Sequence, residues 1–287
     1  MTSPRLARAA PLLFVVLWST GFIGARLGLP HAPPLVFLLI RYLAVIVLMG
    51  AVALATRAPW PRGARAWAHI GVSGLLIHAV YLGGVFIAIS RGLPAGVASL
   101  VVGLQPLLTA TVSGRLLGQP ATCRQWTGLL LGFAGVGLVV ANKLGHGFGA
   151  AALWPALGAL AGITAGTLYQ KRYCPRFDWR TGAIAQFVPT ALATGLVAWC
   201  TEPLQVAWTG DFVFALAWLV LVLSIGAISL LNGLIRSGDA VDVASLFYLV
   251  PPCTALVAWA LFGETLSGVA LVGMALAAWG VSLARRA

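Results

Sequence analysis

A stretch that occurs twice restricts this chain more than any other feature. Val97-Ala98-Ser99-Leu100 returns as Val243-Ala244-Ser245-Leu246, and each copy is followed by a proline inside an apolar run, Pro106 and Pro252. The two stretches close on Leu116-Leu117-Gly118-Gln119 and Leu261-Phe262-Gly263-Glu264. After a shift of one residue the agreement continues, with Gly128 and Gly135-Val136-x-Leu138 matching Gly273 and Gly280-Val281-x-Leu283. The chain is therefore read as two half-length copies, residues 1–145 and 146–287, joined near Lys143 to Phe148.

Composition says where such copies live. Hydrophobic residues make up 60% of the chain and charged residues 8%, and apolar runs of about twenty residues recur throughout, as in a protein built in a bilayer. The net charge of +12 does not indicate nucleic acid. The arginines fall between apolar runs rather than as a patch interleaved with aromatics on a soluble face. Cys123, Cys174, Cys200 and Cys253 lack metal or redox spacing and read as packing residues.

Arg5 and Arg8 precede the run Leu12 to Leu29, which is too long for a typical signal core and lacks a clear cleavage site, so it reads as an uncleaved first helix. Nine further helices are expected at 35–55, 68–90, 95–117, 122–141, 150–170, 181–200, 212–235, 241–262 and 266–284. Pro30, Pro33, Pro34, Pro59, Pro61, Pro120, Pro175 and Pro203 lie between them, where a missing N–H is harmless. Pro106 and Pro251-Pro252 are expected to kink their helices.

With ten helices both termini share a side. That side collects Arg5, Arg8, Arg57, Arg62, Arg65, Arg115, Arg124, Lys171, Arg172, Arg176, Arg180, Arg236, Arg285 and Arg286, against Arg26, Arg91 and Lys143 opposite. The bias predicts cytoplasmic termini. Each copy holds an odd number of helices, so the second enters the membrane inverted relative to the first. An inverted repeat points to a carrier with a midplane site between its halves, although channels are sometimes built this way too.

The pattern resembles the drug/metabolite transporter superfamily, specifically its ten-helix EamA-type exporters. The resemblance rests on Leu17-Trp18-Ser19 with Phe22, on Pro34 and Arg41-Tyr42, on the Ala-Ser and proline of helices 4 and 9, on Phe262-Gly263-Glu264, and on Gly273 with Gly280-Val281. It spans essentially the whole chain. Gln119 stands where that family commonly has a glutamate. The resemblance implies export of small metabolites, amino acids among them, from a bacterial-type inner membrane.

Polar residues deep in apolar runs are the candidates for lining a pathway. Trp18 lies deeper than an interfacial belt needs, and Tyr169 is grouped with it. His78 and Tyr81 share a face of helix 3, where interhelical packing is an equal reading of the histidine. Ser229, Asn232 and Arg236 form one stripe of helix 8, and cavity lining is favoured for Asn232. Ser245 and Tyr248 lie one turn apart in helix 9; Ser99, the counterpart of Ser245, reads better as packing. Arg41 is either a snorkelling residue or a clamp for a substrate carboxylate. Glu264 reads as a cap or ion-pair partner near the start of helix 10. Gly128-x3-Gly132 and Gly273-x3-Ala277 suit close helix contact.

The substrate-binding set is thus Trp18, His78, Tyr81, Tyr169, Asn232, Ser245 and Tyr248 around one mid-membrane cavity, with Arg41, Ser99 and Ser229 in a second tier. Asp178, Glu202, Asp211, Asp239, Asp242 and Glu264 all lie near run ends, which disfavours a fixed counter-ion for organic cations. Transport is then facilitated diffusion, or is coupled to protons through His78, because imidazole titrates near physiological pH. A membrane-embedded enzyme is disfavoured, since neither a His cluster, nor paired intramembrane acids, nor a phosphate-binding motif occurs. A solute channel and a drug exporter remain the alternatives. The partners expected are a small-molecule substrate and the lipid bilayer, with no cofactor, no metal and no nucleic acid; the oligomeric state is left open, and a monomer is compatible with the sequence.

Overall fold

The computed structural model describes residues 4–93, 95–141, 149–174, 176–262 and 266–285. Lys143, Gly263, Glu264 and Arg286, all used above, lie outside the described residues. Among those described, regular structure is helical throughout, with no strand.

The helices are α1 (Pro4–Gly28), α2 (Pro34–Ala55), α3 (Ala64–Ser90), α4 (95–117), α5 (Cys123–Val140), α6 (Ala150–Tyr173), α7 (Trp179–Thr201), α8 (Gly210–Ser237), α9 (240–262) and α10 (Gly268–Ala284). Among the described residues nine are long and apolar enough to cross a bilayer, and α10, at 17 residues, is the shorter apolar one. Their ends follow local chemistry. Pro34 opens α2, and the Glu202 carboxylate accepts from the free N–H groups of Leu35 and Val36 at 2.9 to 3.1 Å, so an acid from the end of α7 serves as the cap. Thr122 and Gln125 form a reciprocal capping box on α5, and Ser267 caps α10. Gly118 stops α4 at φ +68°, a left-handed conformation that a side chain would strain.

Four interruptions matter for the site. α3 widens into a π-helix over Leu75–Leu82, and α8 does so over Leu219–Ala227. α4 is divided into Ala95–Val102 and Gln105–Leu117, while α9 tightens to a 3₁₀ turn over Leu246–Leu249. In the register that sets Val97 opposite Val243, each interruption of the first copy falls beside one of the second. Pro106 sits in the first turn of the new segment of α4, so the break precedes the proline instead of being a kink at it. Pro11, Pro155 and Pro189 lie inside α1, α6 and α7 without ending them.

Helix contacts exchange between the copies. α1 packs on α8 and α9, and correspondingly α6 packs on α3 and α4; α2 meets α7, and α5 meets α10. The α5–α10 seam is backbone on backbone. A Cβ on Gly135 would stand 2.4 Å from Ala277 N and 2.6 Å from Gly273 O, and one on Gly128 would stand 2.6 Å from Gly280 O. Small residues were expected here, and they let the two helices touch.

The outer surface of the bundle is apolar, and the deep polar side chains are kept within a largely apolar interior. Val47, Leu54, Leu192, Leu196 and Trp199 are exposed, whereas Arg41, His78, Gln105, Gln170, Gln186 and Asn232 are buried, the distribution a hydrocarbon solvent selects. Among the cysteines, Cys174 and Cys253 are half-buried, but Cys123 and Cys200 are exposed rather than packed; all four are free thiols.

Candidate functional site

Trp18, midway along α1, lies parallel to Tyr81 of α3, with ring centroids 6.2 Å apart and planes at 8°. Phe247, in the 3₁₀ turn of α9, meets the Trp18 ring edge-on at 5.6 Å, and Phe14 packs behind it at 5.1 Å. The α1 backbone is held against α9 by Ser19, whose hydroxyl donates to Val15 O and Val250 O while its carbonyl accepts from Thr254.

Beside this aromatic group is a narrow cavity of about 30 Å³, walled by Trp18, Phe22, Tyr81, Phe86 and Leu223 and reached by Arg41. Arg41 is 1% exposed. Its Nε donates to Ser224 Oγ at 2.9 Å, and Ser224 in turn donates to Leu219 O in the π-helix of α8. Among the described residues no carboxylate pairs with this guanidinium. It does not snorkel. A buried cation with donors left over stands at the edge of an aromatic cavity, where its guanidinium can hydrogen-bond an anion.

Two narrower gaps adjoin it, each of about 10 Å³, room for about one water. The middle one shares Trp18, Phe22 and Tyr81 with the first and adds Ser99, Gly103, Phe247 and Pro251. The third is lined by Gln105, Thr109, Thr167, Lys171 and Phe247. Phe247 therefore belongs to the middle and third cavities alike.

The structure brings together Trp18, Tyr81, Arg41 and Ser99 from the residues singled out in the sequence. The others go elsewhere. His78 is fully buried, stacked on Phe187 at 4.3 Å and 15°, with neither ring nitrogen partnered; its backbone carbonyl accepts from Tyr42 Oη. Asn232 sits in a closed ring of amides. Gln170 Nε2 donates to Asn232 Oδ1 at 2.9 Å, Asn232 Nδ2 to Gln186 Oε1 at 3.4 Å, and Gln186 Nε2 to Gln170 Oε1 at 3.2 Å. This ring ties α6, α7 and α8 together, and Gln186 also reaches Ser73 of α3. Tyr169 shares a 2.7 Å hydrogen bond with His69 and packs on Tyr173. Ser245 donates to Asp242 O within its own helix. Tyr248 is buried, and its ring closes against Gly132 of α5 and near Phe133. Ser229 is half-buried and lines none of these three cavities.

Phe247, Gln105, Thr109 and the two ring glutamines were missed. The depth rule that selected His78 also selects Gln105, which stands just as far inside its apolar run, and Gln186 lies a turn and a half inside its own. Phe247 carries no such signal, being one aromatic among many.

A model of the EamA-like transporter family matches residues 9–141 and again residues 150–286. The uncharacterized transporter YvbV of Bacillus subtilis is 30% identical, with 95% of this chain and 90% of YvbV covered. The uncharacterized inner membrane transporter YedA of Escherichia coli is 29% identical, with 93% of this chain and 87% of YedA covered. A probable amino-acid metabolite efflux pump of Salmonella typhimurium is 28% identical, with 92% of this chain and 90% of the pump covered.

Proposed function

Because the chain belongs to the EamA-like transporter family, we propose that it is a secondary carrier of the inner membrane. In this reading it exports small amphipathic metabolites, amino acids foremost, by alternating access between two inverted five-helix repeats. The repeats are residues 1–145 and 146–287, with ten membrane helices and cytoplasmic termini. The exchange of helix contacts between the copies and the recurrence of interruptions in α3 and α8 support the two-copy architecture. The sorting of basic residues supports the orientation.

Arg41 carries the reading of the substrate. A guanidinium 1% exposed, bonded through Nε to Ser224 and set against the parallel Trp18 and Tyr81 rings, fits a carboxylate head with an apolar or aromatic body. Among the described residues no acid lines the three cavities, so a cationic drug would meet Arg41 with no opposing charge from them. The name of the Salmonella relative agrees with an amino-acid substrate.

The test is uptake and counterflow in proteoliposomes with labelled phenylalanine, leucine, glucose and an organic cation, with and without a pH gradient. Saturable uptake and counterflow of an amino acid are expected. Arg41→Met should lower its uptake by about tenfold or more, the loss expected of one charge-assisted hydrogen bond, and Arg41→Lys should lower it less. Equal uptake by parent and Arg41→Met, or transport of the organic cation alone, sinks the assignment. Dependence on the pH gradient separates proton coupling from facilitated diffusion.

A further inference from the structure

The third cavity holds polar atoms that the packing leaves unanswered. Gln105 and Thr109, each 1% exposed, line it from α4, and both Gln105 Oε1 and Thr109 Oγ1 are buried without a partner. Gln105 uses only its amide nitrogen, donating to Thr167 Oγ1 across the cavity at 3.3 Å. At the end of the cavity half-buried Lys171, in the field of Asp239, donates to Ile235 O at 3.1 Å and to Gly238 O, which leaves one ammonium donor of three without a hydrogen bond among the described residues. Buried oxygens without partners are costly, and the gap that their residues line has room for one water-sized group in this conformation.

Its position in the duplicated chain is as telling as its chemistry. The register that sets Val97 opposite Val243 sets Gly21, Phe22 and Ala25 of α1 opposite Thr167, Leu168 and Lys171 of α6. The first trio lines the Arg41 cavity and the second lines the Lys171 cavity. The two cavities are thus the same feature of the two copies, each with one cation reaching it, and the middle cavity lies between them with Phe247 as the partition toward Lys171.

We propose that the Lys171 cavity, closed to about the size of one water in this conformation, opens in another state of the transport cycle into a second station that binds the head of an amino acid as it passes Phe247. Lys171 and the Thr109 hydroxyl take the carboxylate, Gln105 Oε1 accepts from the α-ammonium, and Leu168, Ile235 and Val243 cover the apolar body. This rests on the carrier reading above and adds a site to it. The Arg41 cavity lacks an amide acceptor, so the Lys171 station is where the amino group is read. A 2-oxo acid, which has the carboxylate but no ammonium, satisfies Arg41 and leaves Gln105 unanswered.

The experiment measures phenylalanine and phenylpyruvate transport by parent, Thr109→Val and Gln105→Leu in membrane vesicles of both orientations, together with equilibrium binding followed by tryptophan fluorescence. Thr109→Val keeps shape and removes only the hydroxyl. The expected result is that phenylalanine KM rises about tenfold from the face carrying Lys171 and stays within about twofold from the other, the loss of one hydrogen bond to a charged group. Gln105→Leu should affect phenylalanine and spare phenylpyruvate. Unchanged KM from both faces in both variants overturns the second station, with the oxygens then satisfied by water, and does so even if Arg41→Met abolishes transport. If the parent carries neither compound, the carrier reading fails and the station with it. If both variants lose fluorescence-detected binding and thermal stability together, the residues are structural and the proposal is wrong.

Discussion

Replacing Gly280 by alanine adds one methyl group at the tightest point of the α5–α10 seam. Its Cβ would stand 2.4 Å from Gly132 N, 2.5 Å from Gly128 O and 2.8 Å from Gly132 Cα, all backbone atoms that cannot rotate away. Ordinary carbon contacts begin near 3.5 Å, so the two helices must part by about 1 Å. Gly128, Gly132, Gly135, Gly273 and Ala277 share that seam, so the separation loosens contact along much of both helices. Overpacking of this kind costs about 1–3 kcal/mol. The better helix propensity of alanine returns up to about 1 kcal/mol, so the net effect is a loss. Gly137 is the control, because it lies on α5 and a methyl group there would meet nothing within 4 Å. Gly137→Ala should hold or raise stability by up to about 1 kcal/mol. Thermal unfolding of the detergent-purified variants should therefore move in opposite directions, with Gly280→Ala lower by up to about 8 °C, a net loss of up to about 2 kcal/mol at roughly 2–4 °C per kcal/mol. Shifts of the same sign and size in the two variants would refute the close approach.

Asn232→Ala should lower thermal stability by about 1–3 kcal/mol by leaving Gln170 and Gln186 each with an open group, while KM per folded molecule stays unchanged; transport loss without loss of stability would return Asn232 to a ligand role. The Arg180 side chain and N–H hold the Asp178 carboxyl below its usual range, chiefly by hydrogen bonding. Its contribution is present above the ordinary carboxylate value near 4 and is lost as pH falls through the lowered one. Melting curves from pH 6 to pH 3 should show the parent losing an advantage over Asp178→Asn that, with side chains 16–20% exposed, is at most about 1 kcal/mol; parallel curves would remove the pair from the stability of the α7 start.

Helix positions and the repeat were legible because both depend on patterns along the chain: apolar runs set by bilayer thickness, and a register carried by Val97 and Val243. The glycines of α5 and α10 were legible for the same reason. Partner choice was not. Asn232 was assigned to a cavity because an asparagine in hydrocarbon needs a partner, and that premise was sound. Three amides from three helices satisfy one another instead, which depends on how α6, α7 and α8 face each other. Tyr169 went astray similarly, since His69 meets it across helices a hundred residues apart. The prolines suggested kinks at Pro106 and Pro252, yet helical geometry changes just before them, at 103–104 and Leu246–Leu249. Trp18, Tyr81 and Arg41 converged as depth alone suggested, because each lies on the inward side of its helix near the same level.

The unpaired guanidinium of Arg41 also has an electrical meaning. On the carrier reading proposed above, a carboxylate without an amino group cancels it, so the site turns over neutral when occupied and charged when empty, whereas a zwitterionic amino acid leaves the unit charge standing in both halves of the cycle. Alternating access leaves the site in place and changes only the share of the potential that falls on either side of it, so the full value of about 2.3 kcal/mol per unit charge per 100 mV is the upper limit. On that reading the membrane voltage acts on the empty return step for one class of cargo and on both steps for the other.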